Sequence, residues 1–396
     1  MFLRVFVLAP LRAGISVVNY FWIFAALLSL LLAGCSTPPL QTARKNFHVG
    51  RFQQAEQNLA VIPEDDKDTV LYLMERGMIR QVLCEYDPSS MDWRQAADKN
   101  ELLETYSISQ GAASLLTNDR ALSFQGAPFE RTLLFAFLAK NYLALQNWDY
   151  AAICARNIIR RLDNNDGFPD IPYGRYMAGF CLELISDEGN AAIQYKKISK
   201  LMPDIFVDED TGLLYSRDSQ DARPPQSDPA WQNELICFVL IGRIPTGLTG
   251  VLPVAGKAPY AEIYCGDRYL GRSLPLANTA DLIATTAKRT AAIQLAKDAT
   301  RIAVKIGIAE AVKQQNDALG FLTALLLFSM ERPDTRRWET LPLWLEVARL
   351  PCPPDLSQYT VVFKDTEHHT TGTKVVTTPL VRYGNRYISF CRDIIK

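Results

Sequence analysis

The cysteine at position 35 is the residue of this chain whose neighbours best define a chemistry. It closes the sequence Leu32-Ala33-Gly34-Cys35, after an uncharged apolar run that begins at Ala13 and follows Arg4 and Arg12. A positively charged start, an apolar stretch and small residues before the cysteine are typical of a bacterial lipoprotein signal. We therefore expect residues 1–34 to be cleaved, and a diacylglyceryl group on the Cys35 thiol to tether the chain to a membrane.

The residues after the cysteine indicate the destination of the protein. Ser36 stands where an Asp would favour retention in the inner membrane of enterobacteria, and Ser36-Thr37-Pro38-Pro39 is a polar, extended tether. The predicted location is the bacterial outer membrane, with the chain lipid-anchored on the periplasmic side. The alternative is an uncleaved transmembrane anchor, since the apolar run is long enough to cross a bilayer.

The other reactive side chains form no recognisable catalytic or metal-binding pattern. The adjacent pair His368 and His369 falls in a polar stretch between predicted strands, where neighbouring side chains point to opposite sides. The eight cysteines include no CxxC pair. We therefore predict no enzyme, catalytic residue, metal site or cofactor. One alternative remains open, an envelope hydrolase that uses Cys391 or Cys352 as its nucleophile.

Charge and length restrict the classes of partner and architecture. The formal net charge of the 396-residue chain is −1, so no basic field predicts nucleic-acid binding. The chain without its signal is long enough for two domains.

The pattern of apolar and small residues over residues 35–205 predicts helix-turn-helix units of the tetratricopeptide type, with a period of roughly 34 residues. The clearest unit spans residues 172–205, where Gly179 allows close approach of the helices and Pro203 ends the second one. Because a single unit cannot bury its own apolar face, we expect the units to stack into an array. The alternative is an irregular helical bundle without true repeats.

A concave face of such an array is the expected site of protein binding. The candidate contact residues on this repeat face are Tyr142, Tyr176 and Tyr195. The expected partner is an envelope protein that binds to this concave, peptide-binding face, with the β domain as a second contact surface.

The second half predicts a different architecture. Residues 206–230 read as a linker, and residues 231–396 as an α+β domain that is mainly antiparallel β with inserted helices. Its signals are a buried strand at 235–241, a hairpin turn at Gly266-Asp267 and helices over 280–314 and 316–330. The whole chain is therefore expected to be α+β, with a helical repeat array followed by this domain.

A short segment between prolines, Pro333 to Pro342, combines arginines, an aromatic ring and a carboxylate. We expect it to form a structural corner. Trp338 would pack between strands and helices, and an arginine would bridge backbone carbonyls.

Two motifs carry a family resemblance. The lipoprotein signal, the degenerate repeats, Gly126-Ala127-Pro128-Phe129-Glu130-Arg131 leading into Asn141-Tyr142-Leu143-Ala144, and Asp334-Thr335-Arg336-Arg337-Trp338 up to Leu341-Pro342 appear in that order. In this the chain resembles uncharacterised bacterial envelope lipoproteins with tetratricopeptide-like repeats. The resemblance implies an envelope context and no catalytic residues.

These patterns together predict a lipid-anchored periplasmic adaptor that binds a protein partner. The other alternative is a component of an envelope secretion or pore assembly, in which the helix over 316–330 makes an oligomer contact.

Replacement of Cys35 by Ala tests the predicted anchor. Cys35→Ala should release the protein from membranes without unfolding it, because the lipid is joined to this thiol and the fold lies beyond it. Membrane fractionation and far-UV circular dichroism of the released protein check both points. A variant that stays membrane-bound, or that loses its helical signal, contradicts the prediction.

Overall fold

The first part of the described chain is helical, and most of the strands lie in the second part. A computed structural model of the chain describes residues 38–63, 66–109, 123–217, 231–244, 258–293, 336–376 and 381–393. Helices come first and a mixture dominated by strands follows, which confirms a mixed helix and sheet fold. The helices are α1 (Pro39–His48), α2 (Phe52–Asn58), α3 (Thr69–Val82), α4 (Tyr86–Ser109), α5 (Pro128–Ala144), α6 (Trp148–Asp163), α7 (Pro172–Leu184), α8 (Glu188–Leu201) and α9 (279–293).

The strands form a short hairpin and two larger sheets. They are β1 (Ile205–Val207), β2 (Leu214–Ser216), β3 (Asn233–Ile241), β4 (Tyr260–Cys265), β5 (Arg268–Arg272), β6 (Leu274–Asn278), β7 (Trp344–Cys352), β8 (Tyr359–Lys364), β9 (Thr370–Val376), β10 (Val381–Tyr383) and β11 (Arg386–Arg392). One sheet has the order β10-β11-β3-β7-β6 and the other β5-β4-β8-β9. Strands β11 and β3 are parallel, and the other neighbouring pairs are antiparallel.

The helices pair as α1–α2, α3–α4, α5–α6 and α7–α8, and each first helix ends in the same way. A residue with positive φ donates its N–H three residues back, and the next residue donates five residues back. This is the Schellman motif, which satisfies the last carbonyls of a helix. The positive-φ positions are Gly50, Cys84, Gln146 and Ser186. The recurrence favours true repeats over an irregular bundle, although glycine occupies the position once in the four.

The first helices of the last two pairs are buried all round. In α7 every residue from Tyr173 to Leu184 is buried, and in α5 every residue from Phe129 to Leu143 except Arg131. A helix without an exposed stripe needs cover on both sides. The second helices cover one side of α7, while β6 and β7 pack against it from the sheet. The inner face of the array is therefore filled by the second half of the same chain.

Strand β3 joins the layers, because its alternate residues enter two different cores. Ile236, Phe238 and Leu240 pack into the core shared with the helices. The intervening residues of the strand, Leu235, Cys237 and Val239, pack against the second sheet. The protein thus has three layers, helices on a mixed sheet on an antiparallel sheet, and the expected burial of both faces of this strand is confirmed.

The interval expected as a linker contains structure. Its first residues lie in the hairpin β1–β2, which packs on α8. Gly212, with φ of +65°, turns the hairpin towards the interior, where its carbonyl accepts the Tyr176 hydroxyl at 2.9 Å. The helix expected over 280–314 is present over residues 279–293. Its remainder, and the helix expected over 316–330, lie outside the described residues.

Two glycines test the packing of the last repeat. A Cβ at Gly179 would lie 2.8 Å from Cε1 of Tyr195, whereas a Cβ at Gly189 of α8 would meet nothing within 4 Å. Gly179→Ala should therefore lower the free energy of unfolding by about 1–3 kcal/mol through overpacking. Gly189→Ala, the control, should leave it unchanged or raise it by up to ~1 kcal/mol. Urea titration followed by circular dichroism measures both, and equal effects would contradict the close contact.

Candidate functional site

Residues 336–340 run against the first helices of the array, and we call this stretch the clamped segment. Glu75 on α3 is fully buried. Its carboxylate accepts the backbone N–H groups of Glu339 at 2.9 Å and Thr340 at 3.1 Å. The Arg44 guanidinium on α1 donates to the same carboxylate at 2.7 Å. A side chain of the array thus satisfies main-chain donors of a segment that is remote in sequence.

A second carboxylate repeats this arrangement on the next repeat. Glu130 on α5 accepts the N–H of Trp338 at 2.7 Å with one oxygen. Its other oxygen accepts the N–H of Ala127, also at 2.7 Å, which caps the start of α5. Burial raises the pKa of Glu130 to about 7, and the hydrogen bonds from the N–H groups of Trp338 and Ala127 oppose that rise. One residue therefore begins a helix and holds the clamped segment.

The indole of Trp338 fills an aromatic pocket in the array. Its ring centroid lies 5.9 Å from that of Trp93 and 5.8 Å from that of Phe137, both edge to face. Its Nε1–H donates to the Thr340 hydroxyl at 2.9 Å, so the polar atom is satisfied inside the pocket. Trp338 is fully buried, as the sequence predicted.

Arginines also bind the clamped segment, but they are not the arginines of the segment itself that the sequence predicted to bridge its carbonyls. Arg44 donates to the carbonyl of Arg337, and Arg392 on β11 to that of Thr340 at 3.1 Å. The arginines that contact these carbonyls therefore come from elsewhere in the chain. Within the segment, Arg336 instead pairs with Asp68 at 2.6 Å. A local pattern cannot show this, because the donors are distant in sequence.

A buried ion cluster joins the last repeat to the central sheet. Arg349 on β7 donates to both oxygens of Glu183 on α7, each at 2.8 Å, and to Glu234 on β3 at 2.7 Å. Arg386 of β11 lies 2.6 Å from Glu183. Burial by itself would raise the pKa of Glu183, but the hydrogen bonds and charge of Arg349 lower it. Removing one partner of such a cluster leaves an unpaired buried charge.

The three tyrosines expected on a binding face are all buried. Tyr195 donates its hydroxyl to Glu183 at 2.7 Å and is 1% exposed. Tyr176 is fully buried and donates its hydroxyl to the Gly212 carbonyl. Tyr142 is 7% exposed, and its ring centroid lies 5.2 Å from that of Tyr150 in a tilted arrangement. In this fold none of the three presents its ring to a partner, because the sheet and the second helices already occupy those contacts. The sequence predicted these three rings on an exposed binding face, whereas the structure places them inside the protein.

The cysteines considered as nucleophiles lie in the interior. The Cys391 thiol contacts Cys237 at 3.4 Å and the Tyr359 hydroxyl at 3.4 Å. Glu346 shares its sheet face but lies across β3, roughly 10 Å away at two strand spacings. Cys352 is fully buried, and burial raises the pKa of its thiol to about 12. Among the contacts of the described residues, neither thiol has a His or a carboxylate within hydrogen-bond distance, the partner that such a nucleophile would need.

Other predicted positions fall in turns or outside the described ranges. His368 and His369 lie in the turn between β8 and β9, and the Tyr260 hydroxyl is 3.0 Å from Nδ1 of His368. Across the ranges given above, His, Cys, Asp and Glu form no group of three that could bind a metal ion. Cys35 and the signal lie outside these ranges. None of the helices in the described part is both long and apolar enough to cross a membrane.

Among the site residues that the sequence analysis did not single out are Glu75 and Arg44. A signal was present, because Glu75 interrupts the apolar run Val70-Leu71-Tyr72-Leu73-Met74 of a buried helix. A carboxylate in such a position must find donors. The two motifs that carry the family resemblance are far apart in the sequence, and the structure joins them through the hydrogen bond from the Trp338 N–H to the Glu130 carboxylate.

Comparison with known proteins gives a coarse structural likeness. No family model and no curated protein matches the chain. A solved structure titled "MamA AMB-1 P212121" is 17% identical over 42% of this chain and 72% of its own, with a TM-score of 0.28. Another, "MamA MSR-1 C2", is 14% identical over 41% and 75%, with a TM-score of 0.26. With TM-scores this low, the likeness carries no argument about this chain.

Loss of the Glu75 carboxylate should weaken the attachment of the clamped segment. Glu75→Gln replaces one acceptor oxygen by an amide donor, so it should lower the free energy of unfolding by about 1–3 kcal/mol. The control is Glu56→Gln. Glu56 forms an ion pair with Arg80, but its side chain is 26% exposed, whereas Glu75 is fully buried. That pair should contribute less than ~1 kcal/mol. Urea titration compares them, and equal losses would contradict the role of Glu75.

A buried carboxyl between the sheets should make stability depend on pH. Burial raises the pKa of Glu346 from 4.5 to about 8; Ser273 donates to one oxygen, and the other has no partner among the described residues. The native state therefore favours the protonated form, so the contribution of Glu346 is complete below pH 4.5 and is lost as pH rises through 8.

The expected loss is about 1.4 kcal/mol per pH unit within that window. Glu346→Gln should reduce the slope by the contribution of Glu346, because the amide oxygen still accepts from Ser273 and carries no charge; a slope due to Glu130, whose pKa is also raised, should remain. Glu367→Gln, in an exposed turn, is the control. Unfolding titrations across the window measure the slope, and an unchanged slope in Glu346→Gln refutes the assignment.

Proposed function

We propose that this chain is a non-enzymatic, lipid-anchored scaffold of the bacterial envelope that binds a protein partner through the outward faces of its repeats. The single observation that carries the proposal is the clamped segment. The array grips an extended stretch of its own chain through Glu75, Glu130 and the Trp338 pocket. Its inner face is therefore occupied, which leaves the second helices as the repeat surface open to another protein.

The second helices carry exposed apolar side chains that suit such contacts. Ile153 on α6 is 48% exposed and Ile193 on α8 is 49% exposed. Tyr150, 49% exposed, adds an aromatic ring on α6. Interfaces are enriched in aromatic residues at their contact centres. The rigid core behind these helices would present the positions without prior rearrangement.

The anchor and the location complete the proposal. Cys35 would carry the lipid, the outer membrane would hold the protein, and the array would face the periplasm. Support comes from the residues that surround the cysteine, Leu32-Ala33-Gly34 before it and Ser36 after it. The partner is an envelope protein, and no cofactor is required.

Photo-crosslinking in intact cells tests the proposed surface. A photoreactive residue at position 153 or 193 should capture one defined envelope protein, because these side chains project from the open face. The control is position 375 on β9, where Val375 is equally exposed but belongs to the outer sheet. Capture of the same protein from all three positions, or of none from 153 and 193, would overturn the assigned surface.

A further inference from the structure

Two cysteines face each other between the two sheets. Cys237 lies on β3 and Cys391 on the neighbouring parallel strand β11, where Ser389 is directly opposite Cys237. Because alternate residues share a sheet face, Cys391 projects to the same side as Ser389 and Cys237. The two Sγ atoms are 3.4 Å apart, and both side chains are buried.

A tyrosine hydroxyl from the opposite sheet serves both sulfurs. The Tyr359 Oη lies 3.4 Å from Sγ of Cys391 and 3.9 Å from Sγ of Cys237, and it also bonds Ser389. Hydrogen bonds from Cys237 and Tyr359 lower the pKa of the Cys391 thiol. The hydrogen bond between the two thiols raises the pKa of Cys237. Cys391 is therefore the thiol more readily converted to the nucleophilic thiolate.

We propose that Cys237 and Cys391 form a disulfide bond that links β3 to β11 when the chain encounters a disulfide oxidant. The sulfurs need to approach by roughly 1.4 Å to reach bonding distance. Because Cys391 lies diagonally from Cys237 in the parallel pair, the bond also requires a small movement of the β11 backbone towards Cys237. The inference is independent of the proposed binding function.

The reaction is a thiol–disulfide exchange with two steps. The Cys391 thiolate attacks one sulfur of the oxidant disulfide, which forms a mixed disulfide and releases the first oxidant thiolate. The Cys237 thiolate then attacks the Cys391 sulfur and releases the second. The two protons of the protein thiols pass to the released thiolates. The protein loses two electrons and two protons, and the oxidant becomes two thiols.

The buried position of the two cysteines determines when the disulfide can form and how it affects stability. Because both thiols are buried, exchange takes place before the sandwich closes during folding, or after local opening. The two cysteines are 154 positions apart in sequence. A link that closes so long a loop restricts the unfolded chain strongly, so it should raise stability. It would also hold the last described strand, β11, against the strand that joins the two cores.

Peptide mapping of refolded protein tests the proposal. The full chain is reduced, unfolded and refolded with a mixture of oxidised and reduced glutathione, and its remaining thiols are alkylated. Digestion without reductant should then yield a peptide pair that joins Cys237 to Cys391, lighter than the two thiol peptides by two hydrogen atoms. Recovery of both residues as alkylated thiols, or of either joined to a different cysteine, would overturn the proposal.

Unfolding experiments give a second readout. A reductant should lower the urea midpoint of the oxidised protein, and Cys154→Ala, a buried cysteine of the array, should keep that shift. The double variant Cys237→Ala/Cys391→Ala should lose it. Persistence of the shift in the double variant contradicts the link. If the double variant does not fold, the peptide map of the unmodified chain decides the matter.

Discussion

The first helices of the last two repeat pairs, α5 and α7, are buried around almost their whole circumference, and the remaining architecture follows from the need to cover them. The second helices can bury one side only, as in any helical hairpin. The other side would expose rings such as Tyr173 and Phe180, which are fully buried in the folded chain. At about 25 cal/mol per Å² of apolar surface, exposure of such a face would remove much of the stability of a domain. The central sheet supplies the missing cover.

The contact between the halves is also specific, because buried charges cross it. Glu75, Glu130 and Glu183 lie on the helices, and each takes donors from the second half of the chain. A buried carboxylate without donors is very unfavourable, so a shifted docking of the sheet would leave several charges unpaired. Apolar burial therefore drives the halves together, and the carboxylates determine where they meet.

This arrangement changes how the repeats can contribute to binding. A repeat array with a free inner face can receive a peptide there, whereas this array already grips residues of its own chain through their backbone. The side chains that could bind a peptide backbone are present, but they bind the clamped segment of the same chain. Under the proposed function, another protein would bind the second helices, where exposed side chains such as Ile153 and Ile193 are found.

Local patterns in the sequence determined the elements and several of their details. The repeat at 172–205, the close approach at Gly179, the strand at 235–241, the turn at Gly266-Asp267 and the burial of Trp338 follow from periodicity, glycine or proline chemistry and side-chain type. Such signals are carried by neighbours in the chain, so no knowledge of the fold is needed to read them. The anchor at Cys35 is of the same local kind and stays a prediction.

Only the tertiary structure decided which surfaces cover one another. Periodicity shows that a helix face is apolar, but it does not show whether a partner or the same chain buries that face. The burial of Tyr176 and Tyr195, the structure within the expected linker and the union of two halves into one core all depend on that choice. Glu130 and Trp338 are 208 positions apart, and Cys237 and Cys391 are 154 apart. Contacts over such separations arise from the packing of the layers, which no local pattern encodes.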